Sequence, residues 1–335
     1  MKQAAGLILA GLFLALLLTS IYLYQYLYSP VQKPGQEKTV LISPGDSIQA
    51  ISRNLQQKGI IPDAQQFRLL ARLSGKSQNI QAGEFAVHTS WSRMRILEHL
   101  CSGQVVLHRL NLPEGLTWWQ VADLVQDQGL ADSQSFVRAV QDQDLINSFD
   151  IPADSLEGYL FPETYRLPRP VLDQARPIAA QMVGQFFQVA KDKLWPQGLP
   201  DAEQVHRIVT LASLVEKETG TPEERRRIAG VFQNRLDQGM LLQCDPTVIY
   251  GLGPDSDTRL RKKQLQDKDN PYNTYQHPGL PPGPICSPGL ESLKAAIDPE
   301  EHSYLYFVSK GDGSHKFSRS LREHNQAVRK YILSN

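Results

Sequence analysis

The chain has 335 residues, 41% of them hydrophobic, with 35 basic and 35 acidic side chains and a formal net charge of +0. That length allows two or three packed domains, and the composition is too apolar for disorder. The neutral balance lacks the basic excess that nucleic-acid partners demand, so no nucleic acid is expected.

After Met1-Lys2-Gln3, residues 4–28, "AAGLILAGLFLALLLTSIYLYQYLY", carry no charge and end in a run of tyrosines. An uncharged helix needs about 20 residues to cross the hydrocarbon core, and tyrosine favours its rim. A single transmembrane helix is expected over 4–28, with residues 1–3 as a short cytoplasmic end marked by Lys2 and the bulk of the chain outside the cytoplasm. The rival, a cleaved signal peptide, is opposed by the length of the apolar run and by the lack of a small-x-small cleavage site. Residues 29–38, "SPVQKPGQEK", are polar with two prolines and read as a linker.

The region 39–150 contains a repeat. "LISPGDSIQAISRNLQQKGI" matches "LNLPEGLTWWQVADLVQDQGL" about 70 residues later, pairing Pro44 with Pro113, Gly45 with Gly115, Ile51 with Val121 and Gly59 with Gly129. Each copy is followed by a second helical pattern and then by a Gly-aromatic strand candidate, so a βαα-strand block used twice is expected. From Leu172 a helical pattern runs through "QARPIAAQMVGQFFQVAKDKL", and Pro200-Asp201 introduces another. Beyond Leu242 the chain turns rich in Gly, Pro, Asn and Tyr, and long loops gathered in one domain commonly wall a site. Cys101, Cys244 and Cys286 are an odd number at wide spacing and write no disulfide framework, although a Cys244–Cys286 bridge would suit an oxidising compartment. The eight histidines show no metal-ligand spacing, so no metal and no cofactor are expected.

The stretch "LASLVEKETG" ends an apolar helix, taken as Val205 to Thr219, with two glutamates. At 100° per residue Glu216 and Glu218 flank opposite margins of the apolar face. Position favours Glu218 slightly: in the last turn the helix dipole and partial burial both disfavour ionisation. A carboxyl kept neutral beside a polar cleft is what protonating a glycosidic oxygen requires. A salt-bridging pair at a helix end fits the same residues. An ordinary glycosidase also needs a second carboxylate, for which Asp245 and Glu163 are available. Thr221-Pro222-Glu223-Glu224 reads as a capping box opening the next helix, which can run to Gln238 with Gly239 as its stop.

"LASLVEKET", "RLDQGMLLQCDPTVIYG", "NPYNTYQHPGLPPGPICSPGLESLKAA" and "YLYFVSKGDGSHKFS", in that order, resemble the membrane-anchored endolytic murein (lytic) transglycosylases of bacteria, the YceG-like family. The resemblance runs from about Val40 to Lys330. It implies an α+β protein: an N-terminal transmembrane helix, a LysM-like α/β region over 39–150, and a C-terminal α+β catalytic domain with long loops over 151–335. It implies an inner-membrane, single-pass location with the bulk of the chain in the periplasm. It carries one catalytic residue over, Glu218, the second Glu of the E-K-E-T segment, and leaves Glu216 a supporting role.

The implied reaction cuts MurNAc-β-1,4-GlcNAc bonds within glycan strands, leaving 1,6-anhydro-MurNAc ends and terminating nascent strands. The substrate's own 6-hydroxyl is the nucleophile, so one carboxyl suffices. Peptidoglycan glycan strands, the membrane and penicillin-binding synthases are the implied partners. Substrate-binding candidates are Glu163, Asp245, Asn273, Thr274, Tyr275 and His315, each with a plainer role as a turn former, cap or hairpin residue. Cys244 and Cys286 stand where Ser, Thr or Ala is more typical of the family. A water-using murein hydrolase and a non-enzymatic anchored peptidoglycan-binding or assembly factor are the alternatives.

Overall fold

The computed structural model describes residues 2–169, 175–254 and 259–333. Met1 of the expected cytoplasmic end, the start of the helical pattern at Leu172 and the last two residues of the expected catalytic domain lie outside them. The protein is α+β, helices outnumbering three small two-stranded sheets among the described residues. It divides into two compact units, Met1–His108 with Arg166–Asp173, and Arg109–Tyr165 with Gln174–Asn335.

In the first unit, α1 (Lys2–Tyr28) is a 27-residue helix. Its stretch Leu9–Tyr28 is long and apolar enough to cross a membrane, and none of its residues is fully buried. Residues 29–38, read as a linker, are tied down: Val31 and Gln32 donate to the carbonyls of Trp91 and Thr89 at 3.1 and 2.9 Å. β1 (Glu37–Ile42) follows, then α2 (Ile48–Gln57), α3 (Ala64–Leu73), β2 (Gly83–His88) and α4 (Arg93–Cys101). β1 and β2 pair antiparallel with Val40 opposite Phe85. Ser47 and Asp63 cap the two helices by accepting from the backbone N–H three residues on, satisfying donors that a helix start leaves free. Ile51 and Leu55 of α2 and Phe67 of α3 close the core over the sheet.

The second copy of the block lies mostly in the second unit. β3 (Leu107–Asn111) pairs with β4 (Thr164–Pro168), with α5 (Trp118–Asp127), α6 (Ser133–Val140) and α7 (Gln143–Ser148) between them. The matching glycines do the same work in both copies: Gly59 and Gly129 end their helices at φ +63° and +65°, a left-handed conformation that costs glycine little. The second copy belongs with the chain that follows it, because its turn is bonded there: Gly115 N–H donates to Ser287 O and Ser287 N–H to Leu116 O, both at 2.8 Å.

After β4 come α8 (Ala175–Val189), with a π-turn at Ala190–Leu194, and α9 (Ala202–Glu218). A 3-10 turn at Pro222–Glu224 leads into α10 (Arg225–Asp237). The remaining elements are α11 (Asp245–Gly251), α12 (Lys262–Leu265), α13 (Leu290–Ile297), the hairpin β5 (Tyr306–Ser309) and β6 (His315–Ser318), and α14 (Leu321–Tyr331). α9 is the centre of this unit: Val205 and every residue from Val209 to Val215, Thr210 and Ser213 included, are buried, so the helix is enclosed on more than its apolar face.

Candidate active site

Glu218 is the last residue of α9, and the chain leaves the helix at once through Thr219 in an extended conformation. Its half-buried side chain opens onto a cleft of about 460 Å³ lined also by Gln243, Asp245, Tyr275, Tyr306 and His324. Burial pushes the Glu218 carboxyl above its ordinary value and the negative charge of Asp245 adds to the rise, while a hydrogen bond from Cys244 and the charge of His315 oppose it. Burial wins because a carboxylate loses more solvation than two partial donors return. The result is a carboxyl biased to hold its proton at the edge of an open cleft.

Glu216 points elsewhere. Its Oε2 accepts from Gly289 N–H at 2.9 Å, at the start of α13, and Oε1 lies 3.9 Å from Nη2 of Arg225. The two glutamates thus divide the roles that their sequence left open between them: one is consumed in packing, the other faces the cleft.

The corner after Glu218 departs from the expected capping box. Thr221 makes no cap bond; its hydroxyl donates to Gly313 O at 2.8 Å. The Glu224 carboxylate accepts from the ring Nδ1 of His315 at 2.7 Å. Both side chains find partners on the β5–β6 hairpin, and a 3-10 turn replaces the first turn of the helix. The hairpin comes so close that a β-carbon on Gly220 would stand 2.5 Å from Gly313 O, closer than any real contact. Arg226 and Arg227 pair with Asp298 and Glu300 at 2.7 and 2.9 Å.

The opposite wall is the segment entering α11. Gln243 has φ +50°, a strained conformation for a residue with a β-carbon. Thr274 holds it there: Gln243 N–H donates to Thr274 O at 3.1 Å and Cys244 N–H to Thr274 Oγ1 at 3.0 Å. Asp245 accepts from the Tyr275 hydroxyl at 2.6 Å. All three cysteines are free thiols.

Of the sequence candidates, Glu218, Asp245 and Tyr275 line one cleft, while His315 is not among its lining residues and packs against Phe307, which is. Asn273 and Thr274 are buried and act from beneath. Asn273 spends its amide on the carbonyls of Gln264, Leu265 and Asp267. Glu163 is exposed and accepts from Thr164 N–H at 2.9 Å; it is not among the lining residues. Sequence reasoning missed Arg235, Tyr306 and His324. Arg235 is buried, donates from Nε to Leu305 O at 2.7 Å and from Nη1 to Leu242 O at 2.7 Å, and lies over the Tyr306 ring. His324 stacks on the same ring at 5.3 Å. A lone basic residue inside an amphipathic helix carries no pattern that marks it.

A family model described as the YceG-like family matches residues 40–330, and the chain belongs to that family. An endolytic murein transglycosylase of Bacillus subtilis (strain 168) is 32% identical over 338 residues, covering 95% of this chain and 92% of its relative. An endolytic murein transglycosylase of Streptococcus pneumoniae serotype 2 is 30% identical over 362 residues, and there the match spans 96% of this chain but 64% of the longer protein. A crystal structure of a YceG-like protein from Listeria monocytogenes is similar at a TM-score of 0.58 and 33% identity, covering 87% of this chain and 99% of that one.

Proposed function

We propose that this protein is an endolytic murein transglycosylase with Glu218 as its acid and base. The observation that carries the reading is the Glu218 carboxyl, held toward its protonated form at the edge of a polar cleft. Glu218 gives its proton to the glycosidic oxygen as the bond from C1 of N-acetylmuramic acid breaks, the bonding pair staying with that oxygen. The muramoyl 6-hydroxyl then closes on C1 and Glu218, now a carboxylate, takes the hydroxyl proton. No water is consumed, the product ends in 1,6-anhydro-MurNAc, and the enzyme is restored. Asp245 raises the carboxyl's proton affinity and Tyr275 keeps Asp245 in place.

On this reading α1 anchors the chain in the inner membrane and the rest works in the periplasm. The two blocks are LysM-like on this reading, with glycan binding and plain scaffolding as their two candidate roles. Cutting within nascent strands ends their elongation and places the protein beside penicillin-binding synthases.

The test is mass spectrometry of muropeptides released from purified sacculi and nascent glycan by the full chain in detergent, beside Glu218→Gln. Anhydro products that vanish in a folded Glu218→Gln protein are expected. Reducing-end products, heavier by one water, would point to a hydrolase, and binding without any product to a non-enzymatic assembly factor.

A further inference from the structure

The cleft beside Glu218 spends much of its hydrogen-bonding capacity on itself. Asp245 accepts from the Tyr275 hydroxyl at 2.6 Å, Oε1 of Glu218 accepts from the Cys244 thiol at 3.3 Å, and Arg235 gives Nε and Nη1 to the carbonyls of Leu305 and Leu242, both at 2.7 Å. His324 stands apart. Its ring lines the cleft from α14 and stacks on Tyr306 at 5.3 Å and 26°. Neither ring nitrogen has a hydrogen-bond partner among the described residues, and Nδ1 is shut off from solvent, so Nε2 is the nitrogen left open. A neutral imidazole carries one proton, and a buried orphan N–H is rarer than a buried orphan acceptor. The proton is therefore assigned to Nε2. Burial and the positive charge of Arg235 hold the ring below its ordinary value and favour its neutral form.

We infer that His324, braced by Tyr306, reads the acetamido group of an N-acetylated sugar, its Nε2–H donating to the acetyl carbonyl oxygen while the acetyl methyl lies among apolar side chains. The inference rests on the reading of this cleft as a murein site and adds to it a specificity contact. The brace is itself fixed: the anchored guanidinium of Arg235 sits 5.0 Å over the Tyr306 ring. The apolar side chains are those next to the pair in the chain that also line the cleft. They are Leu321, one turn earlier on α14, and Phe307, beside Tyr306 on β5 and edge-on to Phe232 at 6.1 Å.

An acetamido group presents a carbonyl acceptor and a methyl on one carbon, which matches a single N–H donor set among apolar residues. A ring hydroxyl would leave the apolar part unused, and a bare amine, charged near neutral pH, would bring donors against a donor. Gln243 and Asn325 also line the cleft, but both are exposed and free to turn in water. The half-buried imidazole is held in one orientation by its stack on Tyr306.

The experiment gives the full chain in detergent two substrates: murein glycan strands, and the same strands chemically de-N-acetylated, with re-acetylation as the control. It measures kcat and KM of anhydro-product formation for wild type, His324→Phe, His324→Leu and His324→Gln, and Kd for both strands in the Glu218→Gln background. Wild type should favour the N-acetylated strands in kcat/KM. His324→Phe keeps a ring on Tyr306 and loses the N–H, so it should cut that preference about tenfold, the scale of one hydrogen bond, through KM on the acetylated strands alone. His324→Leu should do the same, so the result does not hang on one variant folding. His324→Gln, which keeps an N–H, should retain part of the preference. The charge on the bared amine acts on every variant alike and cancels in the comparison. A preference unchanged in His324→Phe and His324→Leu, or a loss equal on both strands, would overturn the inference. A wild type without anhydro products would defeat the functional reading instead, and the Kd comparison with and without His324→Phe would still decide the role of His324.

Discussion

The Cys244 thiol donates a hydrogen bond to Oε1 of Glu218 across 3.3 Å. The proposed acid is thus held by a sulfur on the residue that precedes α11, and the two walls of the cleft meet in that contact. Cys244 is buried, which pushes its own thiol well above the ordinary range. It remains a neutral donor and a poor nucleophile.

Removing that donor should strengthen Glu218's hold on its proton. In Cys244→Ala the alkaline limb of the pH–rate profile is expected to move up and activity to fall several-fold, while Cys244→Ser, which keeps a donor, should stay near wild type. Alkylation by iodoacetamide offers a second check, since native Cys244 should react far more slowly than after unfolding.

The same carboxyl makes a prediction about stability. The Glu218 value is raised above 4.5 in the folded protein, so the folded state keeps its proton longer than the unfolded chain does. The stabilising contribution is full below the unfolded value and is lost as pH rises through the folded one. Glu218→Gln, inactive by hypothesis, should melt higher than wild type near pH 8, by about 2–4 °C for each kcal/mol recovered if its unit of roughly 150–250 residues melts as one. The difference should disappear near pH 4.

Glu157 should behave likewise without touching the proposed reaction. Its buried carboxyl accepts from Trp118 N–H and Gly158 N–H, both at 3.2 Å, and burial pushes it up to about 8 from 4.5. Between those two values the folded state binds more protons than the unfolded one, so stability declines with rising pH, by at most about 1.4 kcal/mol per unit from this group. Glu157→Gln should remove that slope. Denaturant midpoints measured from pH 5 to 8 would show the two proteins drawing apart as pH rises, and parallel curves would refute the assignment.

Arg235 fastens three carbonyls, those of Leu305, Leu241 and Leu242, just before the strained Gln243. Arg235→Met leaves buried acceptors unpaired and is expected to destabilise the protein by about 2–4 kcal/mol. Activity should fall further than stability, because the segment bearing Cys244 and Asp245 loses its anchor. Equal losses in the two would deny Arg235 that role.

What could be read in the sequence follows periodicity and punctuation. The two βααβ blocks were legible because Gly59 and Gly129 stop their helices at equivalent places, and α9 because its apolar period is unbroken. The opposed fates of Glu216 and Glu218 were not derivable from the helix alone. Both flank the same face, and what separates them is Gly289, 73 residues away from Glu216, arriving to take one of them. Thr221 and Glu224 misled for the same reason. Their spacing satisfies a capping box locally, but the hairpin beyond residue 310 offers Gly313 and His315 as partners and wins them. Asn273 and Thr274 looked like sugar contacts and lie buried beneath the loop, since an amide that satisfies three carbonyls at once is worth more inside than at the surface.

The wall containing Leu321, His324 and Asn325 belongs to α14, whereas Glu218 lies about a hundred residues earlier in the chain. A chain made from its N-terminus therefore carries Glu218 long before it carries this wall of the groove. Until α14 is present, Tyr306 and His324 cannot stack and the cleft beside Glu218 lacks one wall. On the proposed reading, an incomplete chain that already carries Glu218 lacks part of the groove its reaction needs.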